Sequence, residues 1–364
     1  MKFRCERDAL LEALSMASRA VSSRGGALPV LSGVRIEVTG DQVSICGTDL
    51  DLTITATITV AGDEDGVSVV PAKLAVDIIR SLEPGSVEVS AGGTEAVISG
   101  GRSQFTLHVL PSEEFPKVSA AEGEPLRFDV ADFAGALRQV VPAASTDDSR
   151  PILTGVLMAA EADGLRLVAT DSYRLAVRDL PSASLLDEGQ SVLVPSRALT
   201  EVARIVGAAS SLELVLDSRE ATFVVGDTRI TTRLIEGDFP NYRGLIPQHQ
   251  PNRLTIARGP LIEALRRVKL LAREATPVRL SMSSDTLSLI AITQDVGQAR
   301  EELDAKYEGA ELTVAFNPEY LLQGLEVSGG DEVTLETVDA LKPAVVRSVD
   351  LDEFLYLLMP VRVS

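Results

Sequence analysis

FRCERDALLEALSMASRAV, starting at Phe3, is followed after a loop by LPVLSGVRIEV from Leu28. The same order returns as FDVADFAGALRQVV from Phe128 with RPILTGVLMAA from Arg150, and again as LTIARGPLIEALRRV from Leu254 with TPVRLSMSS from Thr276. The three starts lie 125 and 126 residues apart. Self-similarity at a fixed period decides the architecture before any single motif does, because each copy inherits one structural unit. Later landmarks keep the order. ICGTDLDLTITATI at Ile45 corresponds to LVATDSYRLAVRDL at Leu167 and loosely to LIAITQDVGQAREEL at Leu289, while VVPAKLAVDIIRSL at Val69 corresponds to VLVPSRALTEVARIV at Val192 and VAFNPEYLLQGLEV at Val314. VLPSEEFPKV at Val109 matches LIEGDFPNYRGLIP at Leu234, and the third copy closes on YLLMPVRVS at Tyr356.

Three homologous domains follow, 1–122, 123–249 and 250–364, with polar, Pro- or Gly-bearing joints near 121–127 and 247–253. Within each copy an amphipathic segment precedes alternating runs such as Val34, Ile36, Val38 and Val43, Ile45, which read as strands. A second helix then starts at a proline, Pro71, Pro195 or Pro318, since the missing N–H is no loss in a first turn. The expected fold class is α+β, with helices on one face of antiparallel sheet. The six helices are expected at 7–19, 71–82, 130–143, 195–207, 259–274 and 317–327.

The 364 residues are 45% hydrophobic and 24% charged, a globular composition. No run approaches the ~18 apolar residues that would cross a bilayer, and the first residues interleave charge with apolar positions, so a cytoplasmic protein is expected. Cys5 and Cys46 have no CxxC spacing and read as buried free thiols. The 34 Lys and Arg stand against 53 Asp and Glu, a net charge of -19 that repels phosphate on average. The distribution is uneven. The six expected helices carry 11 basic and 9 acidic residues, a net of +2, so the excess acid lies on strands and loops. Helix propensity of Lys and Arg accounts for some of this split, and a nucleic-acid-facing helical side accounts for it equally.

On the fifth helix Leu261, Leu265, Val268 and Ala272 form one stripe and Arg266, Lys269 and Arg273 another, leaving Leu270 and Leu271 on neither. Two aliphatics off the core stripe point to a subunit contact or to cover by an adjacent loop. Catalytic patterns are sparse. His108 and His249 have no HxxH or nucleophile partner, and Gly92, Gly93, Gly100 and Gly101 suit hairpin turns and match no phosphate loop. Asp63 to Gly66 lacks the later ligands of a calcium loop. Asp49, Asp51 and Asp171 could hold Mg²⁺ for phosphoester chemistry. Yet Thr48–Asp49 and Thr170–Asp171 are one position in two copies, which favours a turn cap.

MKFRCERDALLEAL, LPVLSGV, GTDLDL, VPAKL, SGGRSQFTLHVLP, ATDSYRLAV, DFPNYRGLIP and YLLMPVRV, in that order over essentially the whole chain, resemble the bacterial DNA sliding clamps, the beta subunits of the DNA polymerase III holoenzyme. The resemblance implies a DNA clamp fold that closes as a head-to-tail homodimeric ring with helices lining the hole. It implies a non-enzymatic processivity factor for DNA replication, without cofactor or metal. Double-stranded DNA would be held by topology, independent of sequence. The DNA polymerase III alpha subunit, the clamp loader, and other polymerases and repair proteins with clamp-binding peptides would be the protein partners. No membrane partner is implied.

By position the DNA-facing residues would be Arg24, Lys73, Arg80, Arg138, Arg197, Arg204, Arg266, Lys269 and Arg273. The dimer contact would join Phe105 and Leu107 of the first domain to Leu270 and Leu271 of the third domain in the other copy. The family's partner-peptide groove maps onto Arg150, Leu153, Thr170, Ser172, Tyr173, Arg174, Leu175, Pro240, Leu245, Leu358, Met359, Pro360, Val361 and Arg362, while Leu357 reads as the last strand of the third core. Tyr173 stands where a His is common, Gly244 where an Arg is common, and Ser364 extends the end. These departures leave room for a specialised second clamp copy with an altered groove, for example one tolerant of a clamp-binding antibiotic.

Overall fold

In the computed structural model the described residues are 1–22, 28–118, 121–181, 186, 189–207, 209, 211–272 and 276–362. The chain divides into two compact units: Met1–Val130 with Arg204–Leu234, and Ala131–Ala203 with Ile235–Ser364. Each is described by itself.

The first unit holds a five-stranded sheet in the order Ala61–Glu64, Lys2–Glu6, Ser86–Gly92, Glu95–Gly100, Ser103–His108. Its second sheet has eight strands, ordered Leu126–Arg127, Glu213–Leu216, Glu220–Val225, Thr228–Arg233, Leu52–Thr59, Gln42–Thr48, Gly33–Thr39, Gly66–Pro71. That sheet joins two sequence copies through one antiparallel pair, in which Ile230 faces Ile54 and Arg229 faces Thr55. Helices α1 (Arg7–Ser18) and α2 (Ala72–Ser81) bury Leu10, Leu14, Val76 and Ile79 in a core shared with Phe3, Ile36 and Ile45. A Cβ on Gly47 would stand 2.1 Å from the carbonyl oxygen of Ala17, so glycine lets α1 lie directly on the strand.

The second unit holds a nine-stranded sheet, ordered Ser191–Pro195, Gly155–Glu161, Gly164–Thr170, Arg174–Pro181, Phe354–Leu358, Ala344–Ser348, Glu332–Thr337, Asn252–Ala257, Lys306–Glu308. A four-stranded sheet runs Gly297–Asp304, Thr286–Thr293, Val278–Ser283, Leu312–Phe316. Again one pair joins two copies, Val177 facing Leu355. Every strand pairing described is antiparallel, the expected α+β arrangement.

The remaining helices are α3 (Val130–Val140), α4 (Ser196–Val206), α5 (Arg258–Lys269) and α6 (Pro318–Val327). All six run somewhat shorter than the sequence suggests, α3 and α5 by the most. α3 stops at Val140 and Val141–Ala143 tightens into a 3-10 turn, because Pro142 has no N–H to give and its ring crowds the preceding turn. α5 ends at Lys269, so Leu270 is its C-cap and Leu271 lies beyond the helix. Pro71 and Pro195 end strands just before their helices, whereas Pro318 opens α6, with the Asn317 side chain accepting from the Glu319 amide at 2.9 Å. No helix among the described residues is long and apolar enough to cross a membrane.

Among the described residues three non-glycines adopt positive φ: Leu50 and Ser172 at 81° and Asp295 at 66°. They occupy one position of the threefold pattern, two residues after Thr48, Thr170 and Thr293. In the first two copies the intervening aspartate makes the turn. Asp49 accepts the amides of Asp51 and Leu52, and Asp171 those of Tyr173 and Arg174. These carboxylates are committed to backbone capping.

Candidate functional site

The Thr170–Arg174 turn is over-determined by short-range bonds. The Thr170 hydroxyl donates to the Arg174 carbonyl at 2.6 Å and accepts from the Ser172 amide at 3.2 Å. Asp171 Oδ2 accepts from Arg174 Nε at 3.0 Å, and both side chains are about nine-tenths buried. Positive φ at Ser172 lifts Tyr173 to the apex, where it is 58% exposed. Arg174 turns inward. Its guanidinium lies over the Tyr320 ring, 4.5 Å from the centroid, and bonds Gln323. Tyr320 stacks in turn on Tyr173. Arg150, paired with Asp147 at 2.9 Å, braces the turn from outside through the Asp171 carbonyl and the Ser172 hydroxyl.

α6 supplies Tyr320 and Gln323, and its own position is fixed by the last strand. Gly324 faces the Tyr356 ring so closely that a Cβ would stand 2.4 Å away, and the Tyr356 hydroxyl donates to the Tyr320 carbonyl at 2.9 Å. Burial pushes the Tyr356 hydroxyl up to about 12, keeping it a donor. Beyond the strand the tail continues along the turn, with the Met359 amide donating to the Tyr173 carbonyl at 2.8 Å and the Val361 amide to Ala315 at 2.8 Å. Met359 and Val361 are exposed, and Val361 and Arg362 border a cavity of about 450 Å³ with Val314, Leu341 and Arg279.

Val168, Leu175, Val177, Tyr242, Val345, Leu355 and Leu357 make one apolar cluster, with Leu157, Phe239 and Ile246 packed against it. The groove residues expected from the sequence therefore separate into kinds. Tyr173, Leu245, Met359, Pro240, Ser172, Val361 and Arg362 are exposed, and Arg150 and Pro360 are half-buried. Leu153, Thr170, Arg174 and Leu175 are buried and shape the site from beneath. Leu358 is corrected: alternation turns it to the face opposite Leu357, where it is fully buried, and Leu357 joins the cluster with Leu175. Sequence reading passed over Tyr320, Gln323, Tyr242 and Val345. The DFPNY run did flag the segment that carries Tyr242, but α6 offered only a core pattern.

Among the expected DNA-facing residues, Lys73, Arg80, Arg138, Arg197, Arg204 and Arg266 are exposed on helices and Lys269 is half-buried. Several are moderated by acids. Arg80 pairs with Asp77 at 3.1 Å, Arg266 with Glu263 and Glu326 at 2.7 Å each, and Lys269 with Glu319. Arg138 lines a cavity of about 350 Å³ with Arg178, Arg258 and Glu326, two arginines the sequence did not single out. Arg24 and Arg273 lie outside the described residues.

Of the expected interface residues, Leu270 is 84% exposed and Leu271 half-buried. Leu107 is corrected: it is buried in the core of its own domain, and Phe105, on the same side of the strand, packs against that core. What the strand Ser103–His108 does offer is its backbone edge, since among the described residues it pairs on one side only, with Glu95–Gly100. Gly297–Asp304 is likewise an edge strand of its sheet.

Three family models match in tandem: the DNA polymerase III beta subunit N-terminal domain over residues 1–119, the central domain over 127–241 and the C-terminal domain over 243–362. A Streptomyces coelicolor protein named beta sliding clamp is 36% identical with full coverage of both chains. The crystal structure of the Bacillus subtilis DNA polymerase sliding clamp superimposes with a TM-score of 0.92 at 29% identity, covering both chains fully. A Pseudomonas aeruginosa sliding clamp bound to griselimycin gives a TM-score of 0.92 at 30% identity, again over both full chains.

Proposed function

The chain belongs to the family of DNA polymerase III beta subunits, the beta sliding clamps, and we infer that it is a replication processivity factor whose two copies close into a ring around duplex DNA. Retention by encirclement needs no tight contact, and strong phosphate binding would oppose sliding. The exposed helix cations Lys73, Arg80, Arg138, Arg197, Arg204 and Arg266 support such a surface, and the acids beside Arg80 and Arg266 weaken each individual phosphate contact. The ring-closing contact is proposed through the edge strands Ser103–His108 and Gly297–Asp304 and the exposed Leu270, a heterologous contact in which copies pair head to tail.

Polymerase, clamp loader and repair proteins dock, in this reading, as short peptides at the Thr170–Arg174 turn and C-terminal tail. The single observation that carries it is the backbone tie from Met359 to Tyr173, which holds two exposed side chains beside an apolar cluster. Flexible Met and small aliphatics suit a surface that receives several sequences. The Tyr173–Tyr320 stack and the absence of a side chain at Gly244 favour an altered ligand range, as in a specialised clamp copy.

The deciding experiment loads the protein onto nicked circular DNA with a clamp loader and ATP, then linearises the DNA. Retention on the circle and loss from the line is the expected result. Equal retention on both would show ordinary binding and overturn encirclement.

A further inference from the structure

The chain has five methionines and two cysteines, all among the described residues. Which sulfur an oxidant reaches depends on access and, for a thiol, on loss of its proton. Burial raises the thiols of Cys5 and Cys46 above their ordinary value, so both stay protonated near neutral pH and react slowly. Met1, Met158 and Met282 are buried, while Met16 is half-buried against the core of the first unit, its sulfur accepting from the Thr228 hydroxyl at 3.9 Å. A thioether has no proton to lose, so exposure ranks the methionines. Met359, at 37%, is the exposed one.

Its place is fixed from both sides. Leu358 before it is fully buried and paired with Arg174 and Ala344. The Met359 amide donates to the Tyr173 carbonyl and the Val361 amide to the Ala315 carbonyl, each at 2.8 Å, and the ring of Pro360 holds φ between them. The tail therefore cannot carry this side chain away from the Thr170–Arg174 turn without breaking those bonds. As a thioether the side chain is apolar and adaptable, which suits contact with a partner. As a sulfoxide it would present a polar oxygen that a docking apolar residue must strip of water.

We propose that Met359 is an oxidation switch on the docking site, at which a peroxide turns the thioether into a sulfoxide that weakens partner peptides until it is reduced. A sulfur lone pair attacks one peroxide oxygen, the O–O bond breaks as the S–O bond forms, and hydrogen peroxide leaves as water. Sulfur is oxidised by two electrons and the peroxide reduced by two. In the return step two thiols of a reductant supply two electrons and two protons, the oxygen departs as water, and the thiols join as a disulfide. The proposal rests on the reading of the Tyr173–Met359 site as the peptide-docking site.

The test treats the full chain with hydrogen peroxide, locates added oxygen by peptide mass spectrometry, and measures a labelled clamp-binding peptide by fluorescence anisotropy. Met359 should gain one oxygen before the other four methionines do. Peptide affinity should fall about fivefold or more in step with that gain and return when methionine sulfoxide reductases A and B act together with a thiol reductant. Met359→Leu, compared with its own untreated form, should lose nothing on treatment. Met359→Gln, with a fixed polar oxygen at the same place, should bind as weakly as the oxidised chain. Circular dichroism shows whether each form is folded, and Met359→Gln decides the matter if peroxide unfolds the protein. Failure of the untreated chain to bind the peptide would overturn the docking reading and the switch with it. With binding present, undiminished affinity after oxidation of Met359, earlier oxidation of a buried methionine, equal loss in Met359→Leu, or no recovery with the reductases would each overturn the switch alone.

Discussion

The rings of Tyr173 and Tyr320 stack with their centroids 6.3 Å apart and their planes 28° from parallel. Tyr320 carries more than this pair, because Arg174 also lies over its ring and its backbone carbonyl accepts from Tyr356.

Removing Tyr320 should therefore cost more than removing Tyr173. Tyr173→Ala is expected to lose about 0.5–1.5 kcal/mol, the value of an aromatic pair. Tyr320→Ala forfeits the cation–π contact too, for a total of about 2–3 kcal/mol. Urea unfolding of the two variants checks the order, and equal losses would remove the energetic role of Arg174 on the ring.

Asp171 and Asp49 hold the same turn position, and Asp171 faces the buried Arg174 guanidinium, whereas Leu52 stands at the place of Arg174 in the first copy. Asp171→Asn keeps the turn acceptor and strips the charge, so about 2–4 kcal/mol should be lost, whereas Asp49→Asn should cost under about 1 kcal/mol. Thermal unfolding of both variants makes the comparison.

Leu270→Glu combined with Leu271→Glu should give monomers in sedimentation velocity with a folded far-ultraviolet spectrum, because Leu270 projects into solvent at the end of α5. Leu107→Ala should act otherwise, destabilising the fold by about 2–5 kcal/mol through a core cavity. A folded monomer from Leu107→Ala would restore it as an interface residue.

Truncation after Leu358 should abolish binding of a polymerase-derived clamp-binding peptide in calorimetry while the dimer persists. Retained affinity would refute the docking site at Tyr173 and Met359.

Burial pushes the Cys5 thiol from 9.0 up to about 11. A group that holds its proton more tightly when folded contributes stability below its unfolded pKa and loses it as pH rises through the folded value. Unfolding free energy should accordingly decline between about pH 9 and 11, and Cys5→Ala should flatten that slope. An identical slope in the variant would show that the thiol does not titrate differently on folding.

The threefold architecture was legible because GTDL, ATDS and ITQD mark one turn, and the structure gives all three the same left-handed residue. Face assignments were less legible. Leu107 and Leu358 sit in strands where a shift of one residue exchanges core for surface, and register comes from pairing partners far away in sequence. Leu270 read as helical because the apolar pattern runs past Lys269, while the chain has already turned. Tyr320 and Gln323 were hidden for a different reason: α6 looks like an ordinary core helix, and their role comes from Arg174, 146 and 149 residues earlier. The composite sheets left no local signal at all.

Those composite sheets mean that the units of ancestry are not units that can be cut out. A fragment ending before Glu213 would strip Leu52–Thr59 of its neighbour Thr228–Arg233, and one ending before Phe354 would do the same to Arg174–Pro181. Each excision would bare a long ladder of donors and acceptors ready to zip onto any passing strand, so isolated thirds of this chain should precipitate where the intact polypeptide stays dissolved.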